Sequence, residues 1–439
     1  MIRDLVHLNP RRSLWSLLFI GSLLITLGCD ADVKNEESST QASTMTATSS
    51  TMTPAAQSTM ANVVETATVA PAPAVNLTSS CIPDGTFNPN ADYFPDKAIV
   101  NYATGFSLEY HNSFKILTIK ATDGTADQSF MLVQCGAPIP DTSLPTITIP
   151  IESAFLSSTT QYPGFIELGS VAKIKGIGQA AYISSKKIIE HVKTNGVVEF
   201  AANFEVGTEA VIESNPDVLM SNGFSDPAYA KLAELNIPVI NWMDWQETSG
   251  LGRAEWMLVT SSLLNQELTS EIFIKTVTKN YEEIMNKAMQ TSSNITALAG
   301  SAFQGTFYAP GGASYVANLL KDANIGYVWS ETPDTGSLYL DLESVIAEGM
   351  NADLWINAPT QWTSIQQGLS EDPRYDELQS MQESNVWTHT LLVNEQGADD
   401  YFERAASRPD LLLADLVKIA HPDLMTEHTF EWYQQLPKK

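Results

Sequence analysis

The residues of this 439-residue chain that could do chemistry are few, and their placement narrows the choices. A zinc or manganese centre needs His and carboxylates that converge. The six histidines are His7, near the N-terminus, His111, in a strand-rich segment, His191 and His389 in the body, and His421 and His428, which read as C-terminal surface residues. A three-His centre is therefore not expected, while haem ligation by one His or by a Met such as Met243 stays open. Gly176-Ile177-Gly178-Gln179-Ala180-Ala181 matches a dinucleotide fingerprint in form, yet no substantial strand precedes it and Asn195-Gly196 stands where the acid should be. Gly-x-Ser-x-Gly, His-Glu-x-x-His and Gly-x-x-x-x-Gly-Lys motifs do not occur. Catalysis is not expected, and neither is a cofactor. What the chain does offer is aromatic rings, which give flat apolar contact, and arginines, whose planar fork pairs with anionic oxygens.

The elements that must position those groups announce themselves by repetition. Glu209 opens a phrase running to Asn215-Pro216-Asp217-Val218-Leu219-Met220, and Glu343 opens an echo running to Asn351-Ala352-Asp353-Leu354-Trp355-Ile356. Each reads as a short amphipathic helix, a tight turn and an apolar run short enough to be a buried strand. Residues 145–248 then read as one parallel α/β lobe, with strands at 147–151, 216–220 and 237–242. Residues 293–439 read as a second, with strands at 295–299, 326–329, 352–356 and 390–393. Residues 249–292 between them carry apolar positions at helical spacing, Phe273, Val277, Tyr281, Ile284 and Ala288, with Thr269-Ser270 as a break and cap. The expected fold is therefore α/β, two parallel-sheet lobes joined by a long rigid helix with a cleft between them. Open sheets of this kind bind at the carboxyl ends of their strands. In lobe one those ends carry Ser158, Thr159, Tyr162, Phe224, Trp242 and Trp245; in lobe two they carry Phe303, Tyr308, Trp329, Trp362, Tyr401 and Arg404. Arg253 and Arg404 are the charge candidates, Arg408 reads as a helix start, and Arg374 as a solvated turn residue.

The front end suggests where the lobes work. Arg11-Arg12 precede an apolar stretch, Leu14 to Leu27, too short to span a bilayer comfortably, so residues 1–28 read as a secretory leader. It ends at Thr26-Leu27-Gly28-Cys29, similar to a bacterial lipoprotein cleavage site in which Cys29 is acylated, although Thr at the third position before the Cys departs from the usual Leu. A lipid on Cys29 would hold the chain at the periplasmic face of a membrane. Residues 29–80 read as a disordered tether: thirteen of the twenty-three residues from Ser38 to Met60 are Ser or Thr. Fifty such residues span roughly 40 Å. Cys81 and Cys135 remain as an even pair in an exported chain, expected to form a disulfide pinning a small β extension over 81–144. The net charge of −27 disfavours nucleic acid and anionic lipid as partners.

Leader, β extension, lobe, helix and lobe, with the two Glu-led phrases ending "NPDVLM" and "NADLWI", resemble a cluster III substrate-binding protein of ABC importers. Local phrases add to the resemblance: Gly252-Arg253-Ala254-Glu255-Trp256, Gly311-Gly312-Ala313-Ser314-Tyr315 and Arg408-Pro409-Asp410-Leu411-Leu412-Leu413-Ala414-Asp415-Leu416. The family takes up iron-siderophores, haem and cobalamin, and these phrases are similar to its iron-siderophore branch. The resemblance implies an iron chelate in the cleft, small closure about a stiff helix, and ABC permease subunits as partners. It also implies that Glu209 and Glu343 dock onto basic permease residues. The bland alternative for both glutamates is complementing the dipole of their own helices. Haem or cobalamin as ligand, or a lipid-anchored scaffold, are the competing readings.

Overall fold

The computed structural model describes residues 71–439 apart from positions 123, 202–204 and 293. The leader, Cys29 and the tether as far as residue 70 lie outside the described residues. Asn76, at the far end of the expected tether, already belongs to the folded body. It is buried, and its amide nitrogen donates to Asp96 O and to Glu267 Oε2, both at 2.8 Å.

The β extension is a four-stranded sheet of β1 (Phe106–Tyr110), β2 (Phe114–Ile119), β3 (Gln128–Gln134) and β4 (Thr146–Ile149). Alternation decides its orientation: Lys115, Leu117 and Ile119 of β2 face inward and the residues between them do not. Lys115 is a fully buried cation, and it is held rather than stranded. Its ammonium pairs with Glu267 and donates to Asn265 Oδ1 and to the carbonyl oxygen of Ser262, both at 2.8 Å. The structure joins Cys81 to Cys135, Cα atoms 4.8 Å apart, a constraint worth roughly 2–4 kcal/mol on a loop of this length. The sequence assigned the run from Ile147 to lobe one, but β4 instead adds parallel to β3. Pro150 offers no N–H to extend that ladder, and the lobe's own sheet begins four residues later, at Ala154.

Lobe one contains β5 (Ala154–Leu156), α1 (Tyr162–Glu167), β6 (Ile174–Ile177), α2 (Lys186–Thr194), β7 (Val198–Glu199), α3 (Thr208–Ser214), β8 (Val218–Ser221), α4 (Pro227–Glu234) and β9 (Val239–Asn241). All strands are parallel, in the order β7-β6-β5-β8-β9. Chain direction across the sheet therefore reverses between β5 and β8, which places a crevice beyond their carboxyl ends.

The connection is three helices: α5 (Gly250–Glu255), α6 (Met257–Leu264) and α7 (Glu267–Met289). Every residue of α6 is buried. The break before α7 falls at Asn265, which takes the left-handed conformation that Asn tolerates. It does not fall at Thr269-Ser270, because Ser270 lies within α7 and satisfies its hydroxyl against Glu267 O and Ser261 Oγ. Two carboxylates at this joint clasp the strap 101–105. Glu255 accepts from the amides of Asn101, Tyr102 and Ala103, and Glu247 from those of Thr104 and Gly105.

Lobe two comprises β10 (Thr296–Ala299), β11 (Ser301–Phe303), β12 (Thr306–Pro310), α8 (Tyr315–Asp322), β13 (Gly326–Tyr327), β14 (Ser337–Leu340), α9 (Leu342–Gly349), β15 (Leu354–Ile356), α10 (Ile365–Glu371), α11 (Gln379–Gln382), β16 (Trp387–Thr388), α12 (Asp400–Arg404), α13 (Pro409–Ala420) and β17 (Gln434–Gln435). A short parallel sheet, β13-β10-β15, carries the lobe, and an antiparallel layer, β11-β12-β14, sits beyond the carboxyl end of β10. The expected strand at 390–393 is absent: Leu391, Leu392 and Val393 are partly exposed in a turn joined to the rest by one isolated bridge, Val393 to Asp399. His421 and His428 are not surface residues. His421 is buried, and His428 Nε2 lies 2.6 Å from the buried carboxylate of Asp415.

Candidate cleft between the lobes

The carboxyl-end loops of the two sheets meet. From lobe one, the turn after β5 supplies Thr159, whose hydroxyl donates to Phe402 O at 3.4 Å, and the loop after β6 supplies Ser184. The Ser184 amide and hydroxyl donate to Glu403 Oε2 at 2.7 and 3.0 Å, and the hydroxyl also reaches Asp400 Oδ1 at 3.0 Å. Asn394 of lobe two donates to Ile183 O, and Asn318 to Thr248 O. Burial pushes the Glu403 carboxyl up to about 7, against the pull of the Ser184 hydrogen bonds. These contacts shut the seam. A cavity on the floor of the seam is about 10 Å³, room for one water, lined by Thr160, Trp242, Asp244, Arg253 and Ser407 among others.

Arg253 is the cation of this floor, and part of its donor set is already engaged. Nη2 donates to Trp245 O at 2.9 Å and Nε to Glu247 O at 3.4 Å, while the guanidinium lies over the Tyr315 ring, 3.6 Å from its centre. Asp244 stands close enough to Arg253 to interact with it; burial still raises its carboxyl. Tyr315, at the start of α8, is buried, and its hydroxyl has no partner. A buried polar group without a partner calls for an explanation.

The sequence candidates divide into three groups. Thr159, Arg253, Tyr401 and Arg404 lie at the seam or its floor. Trp242 is buried behind it and donates Nε1–H to Thr160 Oγ1 at 3.1 Å, while Ser158 sits beside that hydroxyl, Oγ to Oγ1 3.1 Å. Arg404 is no free charge: it pairs with Asp400 and Glu431 and lies over Trp432. Arg408 likewise pairs with Asp410. In a second group, Phe224 and Trp245 stand on a lip of the seam, and Tyr308 and Phe303 lie in the antiparallel layer of lobe two. Phe224, half-exposed, stacks on Trp245 with centroids 5.0 Å apart, and Tyr308 packs edge-on against exposed Tyr339. Phe303 lies nearby in β11. The third group is buried inside a lobe and so leaves the candidate set. Tyr162 is buried in the core; Trp329 donates to Glu348 of α9; Trp362 donates to Glu371 and packs against Trp355 and Tyr375. A strand-end position gives no information on which way a ring turns, and all three turn inward.

Asp244, Tyr315, Ser184 and Glu403 escaped the sequence reading. Ser184 and Asp244 sit in loops that follow parallel strands, where position alone could have found them, whereas Tyr315 and Glu403 follow the antiparallel strands β12 and β16. Glu209 is exposed on α3 with no cation beside it, whereas Glu343 on α9 pairs with Arg374 at 2.6 Å. Arg374 also binds Asp372 and so is partnered rather than merely solvated.

Among the described residues no group of three or more His, Cys, Asp or Glu is arranged to hold a metal ion. Among them, too, no helix is long and apolar enough to cross a membrane.

A model of the periplasmic binding protein family matches residues 158–390, more than half of the chain. An uncharacterized lipoprotein of Methanocaldococcus jannaschii is 25% identical over 355 residues, 76% of this chain and 81% of its own length. A second from the same organism is 22% identical, covering 74% and 83%. Among solved structures, a periplasmic binding protein from Veillonella parvula aligns with TM-score 0.51 at 16% identity over 70% of this chain and 98% of its own. A protein from Staphylococcus epidermidis described as a possible iron-binding, periplasmic solute-binding protein aligns with TM-score 0.50 at 14% identity over 62% and 99%. These two share the fold. With two parallel sheets meeting at their carboxyl ends and a match spanning both, the chain belongs to the periplasmic binding protein family, whose members bind solutes rather than catalyse reactions.

Proposed function

We propose that this protein is the membrane-anchored substrate-binding component of an ABC importer, held at the periplasmic face of the membrane by a lipid on Cys29, and that it captures a ferric-siderophore-type chelate between its lobes. The observation that carries this reading is the seam itself. Loops from both sheets converge on a floor with a partnerless buried hydroxyl, and a lip holds the half-exposed Phe224 ring stacked on Trp245. The description of the Staphylococcus epidermidis neighbour as possibly iron-binding supports the same class. A cavity of water size requires the lips to part before a chelate enters, and the few hydrogen bonds across the seam are cheap to exchange for water.

Glu209 and Glu343 are the docking points for the permease. Screened surface pairs are weak enough for a carrier to let go. The sequence of capture is tested by intrinsic fluorescence. Ferric hydroxamate, catecholate and citrate complexes, haem and cobalamin are titrated, with strong quenching of the tryptophans expected from a cognate ferric chelate; silence toward all of them sinks the reading. Docking is tested separately. Glu209→Lys with Glu343→Lys should abolish uptake and leave ligand affinity unchanged, and a lost affinity would refute the docking role.

A further inference from the structure

The charges around the cleft are lopsided. The segments 222–226, 242–249, 328–336 and 389–404, which follow strands β8, β9, β13 and β16, carry nine Asp or Glu, one Arg and no Lys. Contacts tie three of these segments to the seam. Asp244 lines its floor; Glu403 and Asp400 bond Ser184 across it. The 328–336 loop packs on Gly311 and Gly312, immediately before Tyr315, with Ala313 N donating to Asp334 O at 3.0 Å. Of the two guanidiniums within reach, one is neutralised and the other is partly engaged. Arg404 is shared between Asp400 and Glu431, and Arg253 is engaged by two backbone carbonyls and the Tyr315 ring. Counting Asp244 and Glu403 as protonated still leaves seven carboxylates, of which Glu247 is held on the strap and Asp399 lies against His389, facing Arg253 and an Arg404 already paired with Asp400 and Glu431. Glu331 and Asp334 are exposed, so part of this field faces the water through which a ligand arrives.

A second, independent observation concerns the lips. The half-exposed Phe224 ring stacked on Trp245 presents a π face, which attracts cations and is indifferent or hostile to anions. An anionic chelate would thus meet repulsion on approach and find, on arrival, one guanidinium already turned to backbone carbonyls and the Tyr315 ring. A neutral chelate meets neither difficulty, and a cationic one gains on both counts.

We propose that the cleft selects a metal chelate whose overall charge is zero or positive and rejects anionic ones. The proposal rests on the chelate reading above and narrows it to a ligand class. Complexes in which three monoanionic bidentate groups neutralise Fe³⁺ satisfy it; tris-catecholate and citrate complexes, which keep net negative charge, do not.

One chelate core in three charge states separates the effects. The ferric complex of desferrioxamine B bears a terminal ammonium; its N-acetyl derivative is neutral and its N-succinyl derivative anionic. At low salt the cationic and neutral complexes should quench with similar affinity and the anionic one bind at least about tenfold more weakly. The gap should narrow as salt is raised to shorten the screening length. Glu331→Lys with Asp334→Lys, both on an exposed loop, should bring the anionic complex closer to the others without unfolding the protein. Equal or tighter binding of the anionic derivative, or tight binding of a trianionic ferric tris-catecholate, overturns the charge inference and leaves the chelate reading standing. Failure of every ferric complex to quench removes the chelate reading, and this inference falls with it.

Discussion

In lobe one, Asp217 Oδ2 accepts from the amides of Glu152 and Ser153 at 2.7 and 2.8 Å; in lobe two, Asp353 Oδ2 accepts from the amide and hydroxyl of Thr296 at 2.8 and 3.1 Å. Each aspartate ends the turn after a Glu-led helix, and each holds the head of its lobe's central strand, β5 or β10. The repeated phrase is thus a strand-positioning device as much as a helix signal. The lobes differ in what braces them. Lobe one is backed by the β extension, whose Lys115 is buried against Glu267 at the helical joint, and by the strap whose five amides Glu247 and Glu255 hold. Lobe two is filled locally, with Trp355, Trp362 and Tyr375 packed edge to face at 5.2–5.4 Å. One lobe is fixed by charge brought from distant sequence, the other by rings from its own segment.

The strongest way to break that contrast is Glu267→Ala. Removing it strands a buried ammonium whose burial already disfavours its charged form, a loss expected to cost about 3–5 kcal/mol in urea denaturation. Lys115→Met combined with Glu267→Leu should recover most of it, because neither buried charge then remains. A cost below about 1 kcal/mol for the single variant would mean that the brace carries little.

The seam offers a second test, since there a lobe-two acid rests on lobe-one amides. Glu403 has a folded-state value of about 7, above the ordinary 4.5. The folded protein therefore holds a proton that the unfolded chain has released between those two values, and this group's contribution to stability falls as pH rises through that window. The span corresponds to about 3 kcal/mol. Glu403→Gln, still able to accept from Ser184, should gain relative to wild type on moving from pH 5 to pH 8 in thermal unfolding. A difference constant across that range would mean that the carboxyl is solvated and the seam open.

The architecture was legible because two lobes, a helical link and an even cysteine pair each leave a local trace: apolar runs bounded by turns, helical spacing from Phe273 to Ala288, and Cys81 with Cys135. The assignments that shifted depended on partners far along the chain. The run from Ile147 became β4 because β3 was waiting beside it. The α7 break moved because Asn265 is pulled toward the extension, donating to Leu77 O and Gln134 Oε1. The site was less legible than the fold for the same reason. Strand-end position found the loops, but Arg404 looked like a ligand cation until Glu431, 27 residues on, was seen to neutralise it. Trp329 and Trp362 looked like cleft rings until Glu348 and Glu371 claimed their N–H groups.

The smallest expected effect is the sharpest on the comparison itself. Asp217 is exposed and Asp353 half-buried, although they make matching bonds. Water can replace part of what Asp217→Ala removes from the head of β5, so about 1 kcal/mol is expected. At Asp353 less water reaches Thr296, and Asp353→Ala leaves an amide and a hydroxyl without their shared acceptor, so about 2 kcal/mol is expected. Asn at either position keeps one acceptor oxygen and should restore roughly half. Equal costs for the two alanine variants would mean that burial does not grade the device, and the lobes would then differ in their braces alone. A larger loss at Asp217 would point instead to Ser153, whose hydroxyl accepts from the Asp217 amide at 2.9 Å and closes a reciprocal pair, whereas Asp353 accepts from Thr296 and, at 3.4 Å, from Gln379 Nε2.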